Sequence, residues 1–160
     1  MASPTYHKRV VVLRKTNLGE ADLILTMLSG DGSQIRAVAK GARKPKSSFS
    51  SRMDLFGVCD ILAVQRPNLD IVSEVRLVTA HMKLREDIVR FAAAAPILEA
   101  LAKTSQEDLE VPRLFDMAVA ALDAEESCEE AVAPAITAAF LVKLFAMMGL
   151  KPSFDACVVC

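Results

Sequence analysis

The 160 residues are 52% apolar and 24% charged, the composition of a folded soluble protein with room for one domain or two small ones. A net charge of −1 argues by itself against a nucleic-acid binder, yet it averages two opposite halves. Residues 1–80 hold 12 Lys and Arg against 7 Asp and Glu, and residues 81–160 hold 7 against 13, which suggests two domains with different partners. Met1 to Tyr6 leads straight into a charged segment, so no signal peptide is expected. No apolar run reaches the roughly 18 residues that span a bilayer; the longest, Ala131 to Leu150, is interrupted by Pro134 and Lys143. Four scattered cysteines do not form a secreted disulfide framework. The expectation is a cytoplasmic chain without membrane contact.

The first half reads as short strands separated by turns. Lys8 to Arg14 is centred on the β-branched run Val10-Val11-Val12, and Asp22 to Leu28 alternates with Leu23, Leu25 and Met27 on one face. Gly30-Asp31-Gly32-Ser33 predicts a hairpin, because glycine adopts positive φ without strain. Ile35, Ala37 and Ala39 line one side of the next strand, leaving Arg36 and Lys40 on the other. Val58 to Gln65 is a fourth strand, and Asp70 to Leu77 a fifth with Ile71, Val75 and Leu77 on one side. Five strands in so short a span predict a small barrel of the OB type over residues 1–80.

The second half, residues 81–160, predicts an α-helical bundle. Val78 to Ser105 has helical spacing with Pro96 expected to bend or break it, and Val111-Pro112 is expected to start a second helix. Asp123 to Ser127 reads as an acidic connector, and a last helix runs from Pro134 to Met148 with Gly149 as its stop.

The segment Lys40 to Arg52 concentrates five cations in thirteen residues with no acid among them. Its glycine, proline and serines break regular structure, so it forms no core and its charges repel unless an anion sits among them. Phosphate suits this chemistry, since Arg offers a forked donor and Lys a mobile point charge. Arg36, Lys40, Arg43, Lys44, Lys46 and Arg52 form the expected binding track, extended by Arg14 and Lys15 at the end of the first strand. Phe49 is the candidate stacking residue. The scarcity of aromatics predicts binding through the sugar-phosphate backbone rather than through bases. A solvated loop on a protein-interaction adaptor, or an RNA-binding barrel, would use the same residues.

Cys157-Val158-Val159-Cys160 has the spacing of half a tetrahedral zinc site, with no second pair after it. No cofactor is therefore expected in this chain, though zinc is conceivable in a longer parent. No P-loop, zinc-protease helix or nucleophile elbow occurs, so no enzymatic activity is expected.

Val12-Leu13-Arg14, the block Leu18 to Thr26, the block Ala37 to Ser47, Leu69-Asp70-Ile71 and the closing Phe154 to Cys160 together resemble the bacterial RecO family of recombination mediators. The resemblance covers essentially the whole chain. It implies an N-terminal OB-fold followed by a helical domain, and in many members a four-cysteine zinc module whose first pair matches Cys157 and Cys160. The implied function is non-catalytic: binding of single- and double-stranded DNA, annealing of complementary strands, contact with the tail of single-stranded-DNA-binding protein, and cooperation with RecR to load RecA. The implied DNA surface matches Arg14, Arg36, Lys40, Arg43, Lys44, Lys46 and Arg52.

Overall fold

The structure, a computed structural model, describes residues 4–157 and 159. Five strands come first: β1 (Thr5–Leu18), β2 (Asp22–Ser29), β3 (Gln34–Ala39), β4 (Val58–Val64) and β5 (Asp70–Thr79). They close into a barrel in the order β1-β2-β3-β5-β4, antiparallel except for β3 beside β5. This is the OB-fold order, and helix α1 (Ser48–Arg52) sits between β3 and β4 with Met53 just after it. Phe49, Met53 and Leu55 pack from this segment onto the interior formed by Val10, Val12, Leu25 and Met27.

β1 is longer than its β-branched centre suggests because it serves two neighbours. Its first half pairs with β4 and its second half with β2. Val10 and Val12 point into the barrel, while Val11 and Leu13 point outward into a second apolar cluster. Both faces of this stretch are buried, so its apolar run is continuous rather than alternating. A bulge between Val12 and Arg14 then resets the register and brings Arg14 opposite Thr26. A second bulge, between Leu62 and Ala63 of β4, corrects the expected face of β5. Ser73 caps it by donating its hydroxyl to the Leu62 carbonyl (3.0 Å). Val72 and Val75 therefore both pack on the interior; Leu77, opposite Cys59 beside a further register shift at Val58/Cys59, is exposed.

The helical half departs from its expected boundaries in four places. β5 continues to Thr79, and the stretch expected as one helix divides into α2 (Met82–Glu86) and α3 (Ile88–Thr104). The break falls at Asp87, whose carboxylate accepts from the amides of Val89 (2.9 Å) and Arg90 (3.2 Å) and so caps α3. Pro96 lies inside α3, where Ala94, Ile97, Leu98 and Leu101 are buried around it. Packing outweighs the lost amide hydrogen bond there.

Pro112 precedes helix α4 (Leu114–Ser127) instead of opening it, since the Val111 amide is taken by the Asp31 carbonyl (3.1 Å). The acidic stretch Asp123 to Ser127 is the end of α4 and not a connector. Arg90 satisfies the carbonyls there, donating to Glu125 (2.7 Å) and Cys128 (2.8 Å). A 3-10 turn (Glu130–Val132) leads into α5 (Ala133–Met147), where Pro134 lies in the first turn and so does not interrupt the apolar run. Turn and helix together make 18 residues of mean hydropathy 1.6, a length and apolarity that would suit a bilayer or a helix bundle. Thr137, Phe140 and Leu144 bury one face of α5 in the protein.

Barrel and helices share a core. Val11, Leu13, Leu28 and Phe56 from the barrel join Leu84, Ile97, Leu101 and Leu122 from the helices. Phe56 meets Phe91 edge to face at 5.5 Å. His81, fully buried at the crossing from β5 to α2, bonds through Nδ1 to the Phe56 carbonyl and through Nε2 to Asp123, each at 2.8 Å. These contacts hold α3 against β1 and β2 and so place it at the edge of the candidate site.

Candidate nucleic-acid interface

The outer face of β1, β2 and β3 carries a cross-strand row. Thr26 lies opposite Arg14 on one side and Arg36 on the other. The two guanidinium side chains thus flank a threonine on neighbouring strands, lining a cleft of about 270 Å³ with Thr16, Ile24 and Gln34. Lys40 follows on the same side of the chain as Arg36, four residues and about 13 Å further along. Arg14, Arg36 and Lys40 are all exposed.

The basic segment is held in a definite shape. Gly41, at φ 66°, turns the chain out of β3, and its amide donates to the Asp22 carboxylate (2.7 Å). The Arg43 amide donates to the Ala21 carbonyl (2.9 Å) and its guanidinium to the Gly19 carbonyl (3.0 Å), tying the loop to the β1–β2 turn. Turn hydrogen bonds from Lys44 to Gly41 and from Ser47 to Lys44 continue the fold of the loop, and Ser47 caps α1. Arg43, Lys44, Lys46 and Arg52 remain exposed on this frame.

Two expected track residues are placed differently. Lys15 lies across from Leu25, on the opposite face of β1 from Arg14, and its ammonium pairs with Asp54 at 2.8 Å. Asp54 also takes Arg85 at 2.8 Å. Burial alone would raise its pKa, but these bonds and the Leu55 amide hold its carboxyl below the usual range. Asp54 thus joins β1 to α2 through Lys15 and Arg85. Phe49 is half-buried against the barrel interior, so its ring anchors α1.

Ion pairing separates the cations of the barrel into two sets. Lys8 pairs with Asp31, Arg9 and Arg76 with Asp60, and Lys15 with Asp54. The other eight of the twelve, Arg14, Arg36, Lys40, Arg43, Lys44, Lys46, Arg52 and Arg66, have no carboxylate at ion-pair distance among the described residues. Seven of these eight were expected from the sequence. Arg66 was not: it reads as part of a turn with Pro67, and only the fold brings the β4–β5 loop into one cleft with Arg36.

Among the described residues the cysteines do not assemble a metal centre. Cys59 is buried in β4, where burial and then the charge of Asp60 push its thiol up to about 12. Cys128 ends α4, Cys157 is exposed, and Cys160 lies outside the described residues. No three of His, Cys, Asp or Glu gather at metal-binding distance among the described residues, so these residues do not fit a closed zinc site.

Known proteins agree with this architecture. The family model described as recombination protein O N terminal matches residues 1–81, and that described as recombination protein O C terminal matches residues 85–160. A DNA repair protein RecO of Bifidobacterium longum (strain DJO10A) is 36% identical over 158 residues, covering 97% of this chain and 65% of the relative. Proteins of the same name from Cutibacterium acnes and Synechococcus elongatus are 45% identical over 98 residues and 42% over 113. These cover 61% and 71% of this chain, and 40% and 42% of the relatives. The chain thus spans about two thirds of the length of the first of these relatives and less of the others. With both family models matched in order along a barrel and a helical region, the chain belongs to the recombination protein O family.

Proposed function

We propose that this chain acts in DNA repair and homologous recombination by holding single- and double-stranded DNA through its phosphates, without catalysing a reaction. The observation that carries the reading is the set of seven cations on the outer face of β1–β3 and the loop after it that have no carboxylate at ion-pair distance among the described residues. Unpaired exposed cations keep their full attraction for a polyanion, whereas a paired cation must first give up its carboxylate. Phe49, the aromatic expected beside them, is half-buried against the barrel interior. Phosphates are held and bases stay free, so two strands bound in this way pair with each other. Annealing of complementary strands follows from that geometry. Recombinase loading with RecR and RecA, and contact with the tail of single-stranded-DNA-binding protein, are the further steps that family membership supports.

The test is fluorescence anisotropy of a labelled single strand of ~30 nucleotides across a salt series, for the unmodified chain and for Arg43→Glu with Lys44→Glu and Lys46→Glu. If four to six phosphates are neutralised, log K should fall against log salt with a slope of roughly −3 to −4, and the triple variant should lose most binding at about 0.1 M salt. A flat salt response, or equal binding by the variant, overturns the reading in favour of a protein-interaction adaptor. Tighter binding of RNA than DNA of equal sequence would move the chain to an RNA-binding role.

A further inference from the structure

The connector between α3 and α4 is strapped across the β2–β3 hairpin. The Gln34 amide donates to the Gln106 carbonyl (2.9 Å), and Gln34 Nε2 donates to the carbonyls of Ala102 (3.0 Å) and Ser105 (3.2 Å). At the far end the Val111 amide donates to the Asp31 carbonyl (3.1 Å). Gly32 makes this approach feasible: a Cβ there would stand 2.1 Å from the Val111 carbonyl oxygen. The strap presents Glu107, Asp108 and Glu110 to solvent.

These three carboxylates share a cleft of about 580 Å³ with Arg36 and with Arg66, Pro67 and Asn68 of the β4–β5 loop. The other two acids of that cleft are already engaged. Asp31 accepts from Lys8 and Ser33; burial alone would raise its pKa, but these bonds hold it well below the usual range. Asp70 accepts from the Tyr6 hydroxyl and the Arg66 amide. Among the described residues Glu107, Asp108 and Glu110 have no hydrogen-bond or ion-pair partner, so the cleft holds three unpaired acids against the two unpaired cations Arg36 and Arg66.

Barrels of this order hold strands across β2 and β3 and towards the β1–β2 and β4–β5 loops. Here the β4–β5 side carries the three free negative charges, within the reach of electrostatic interaction at moderate salt. Resting on the DNA reading above, we infer that the Glu107–Glu110 strap is an electrostatic fence. It ends the phosphate track at Arg36 and turns a bound strand away from the β4–β5 loop, towards Lys40 to Arg52.

The experiment compares three forms of the 160-residue chain binding a labelled single strand. They are the unmodified chain, Glu107→Gln with Asp108→Asn and Glu110→Gln, and a control with Glu86→Gln, Glu129→Gln and Glu130→Gln. The control residues are exposed acids of the helical half outside this cleft. The strap variant should bind about three- to fivefold tighter at about 0.1 M salt, a gain that fades at about 0.5 M as screening shortens. The control should match the unmodified chain. A photoreactive side chain at Asn68 should crosslink to DNA only when the strap is neutralised, whereas one at Ser48 should crosslink in both backgrounds. No gain, an equal gain in the control, or equal crosslinking at Asn68 in both backgrounds overturns the fence while leaving the DNA reading intact. Absence of DNA binding by the unmodified chain overturns both.

Discussion

The barrel has two cationic faces, and they differ in what their cations do. On the β1–β4–β5 side, Arg9 grips Asp60 through Nε (2.7 Å) and a terminal nitrogen (3.0 Å), and Arg76 closes on the same carboxylate. Those bonds lower the Asp60 pKa to about 2. On the β1–β2–β3 side, Arg14 and Arg36 flank a neutral threonine with no carboxylate at ion-pair distance among the described residues, and Arg14 acts on Glu99 only through its charge across a shared cleft. Composition counts both sets alike. The difference teaches that a cation available to a partner is recognised by the carboxylate it lacks, and that this is a property of register.

The sharpest way to break the comparison is to remove cations from each face. Arg36→Ala with Lys40→Ala should weaken single-strand binding about tenfold at about 0.1 M salt and flatten the salt slope by roughly two contacts. Arg9→Ala with Arg76→Ala should change it less than about twofold. Equal losses from both pairs would mean that pairing does not mark the site.

The helical region offers the reverse case, an acid that lacks a cation. Glu125 is fully buried, and although Arg90 approaches, its guanidinium is spent on backbone carbonyls. Burial raises the Glu125 pKa, with the Thr137 bonds and the charge of Arg90 only partly opposing it. Thr137 Oγ1 stands 2.7 Å from both Glu125 Oε1 and the Ala93 carbonyl. A protonated Glu125 completes that chain by donating to Thr137, which donates its own proton to Ala93. A raised folded pKa means the native state holds this proton more tightly than the unfolded chain. Stability is therefore lost as pH rises above the ordinary glutamate range and through the folded value. Glu125→Gln should match the unmodified protein at about pH 4 and exceed it by about 1 kcal/mol near neutral pH, read from urea denaturation at each pH.

The smallest effect is expected at Asp60. Asp60→Asn releases Arg9 and Arg76 and makes the paired face resemble the unpaired one, so DNA binding should tighten by about twofold at low salt. Because the folded pKa of Asp60 is depressed, its ion pairs stabilise the protein above the ordinary aspartate range and are lost as pH falls towards about 2. The variant should lack that part of the acid sensitivity, worth under about 1 kcal/mol at so exposed a site. Identical acid titrations would show that the Asp60 pairs add nothing to stability.

Much of this protein was legible in the chain itself. Alternation places Leu23, Leu25 and Met27 on the inner face of β2 and turns Arg36 outward. Glycine chemistry sets the Gly30–Ser33 hairpin, and the cation-rich, acid-free stretch after β3 marks the candidate loop. These features depend on neighbours within a few residues, where side-chain direction and backbone preference act directly.

Tertiary structure decided the rest. Bulges at Val12/Arg14 and Leu62/Ala63 shift register by one residue and so choose which side chains face out. Asp54 removed Lys15 from the track, the barrel interior claimed Phe49, and the β4–β5 loop brought Arg66 beside Arg36. Each of these outcomes depends on groups far apart in sequence, and only closure of the barrel against the helices brings those groups together.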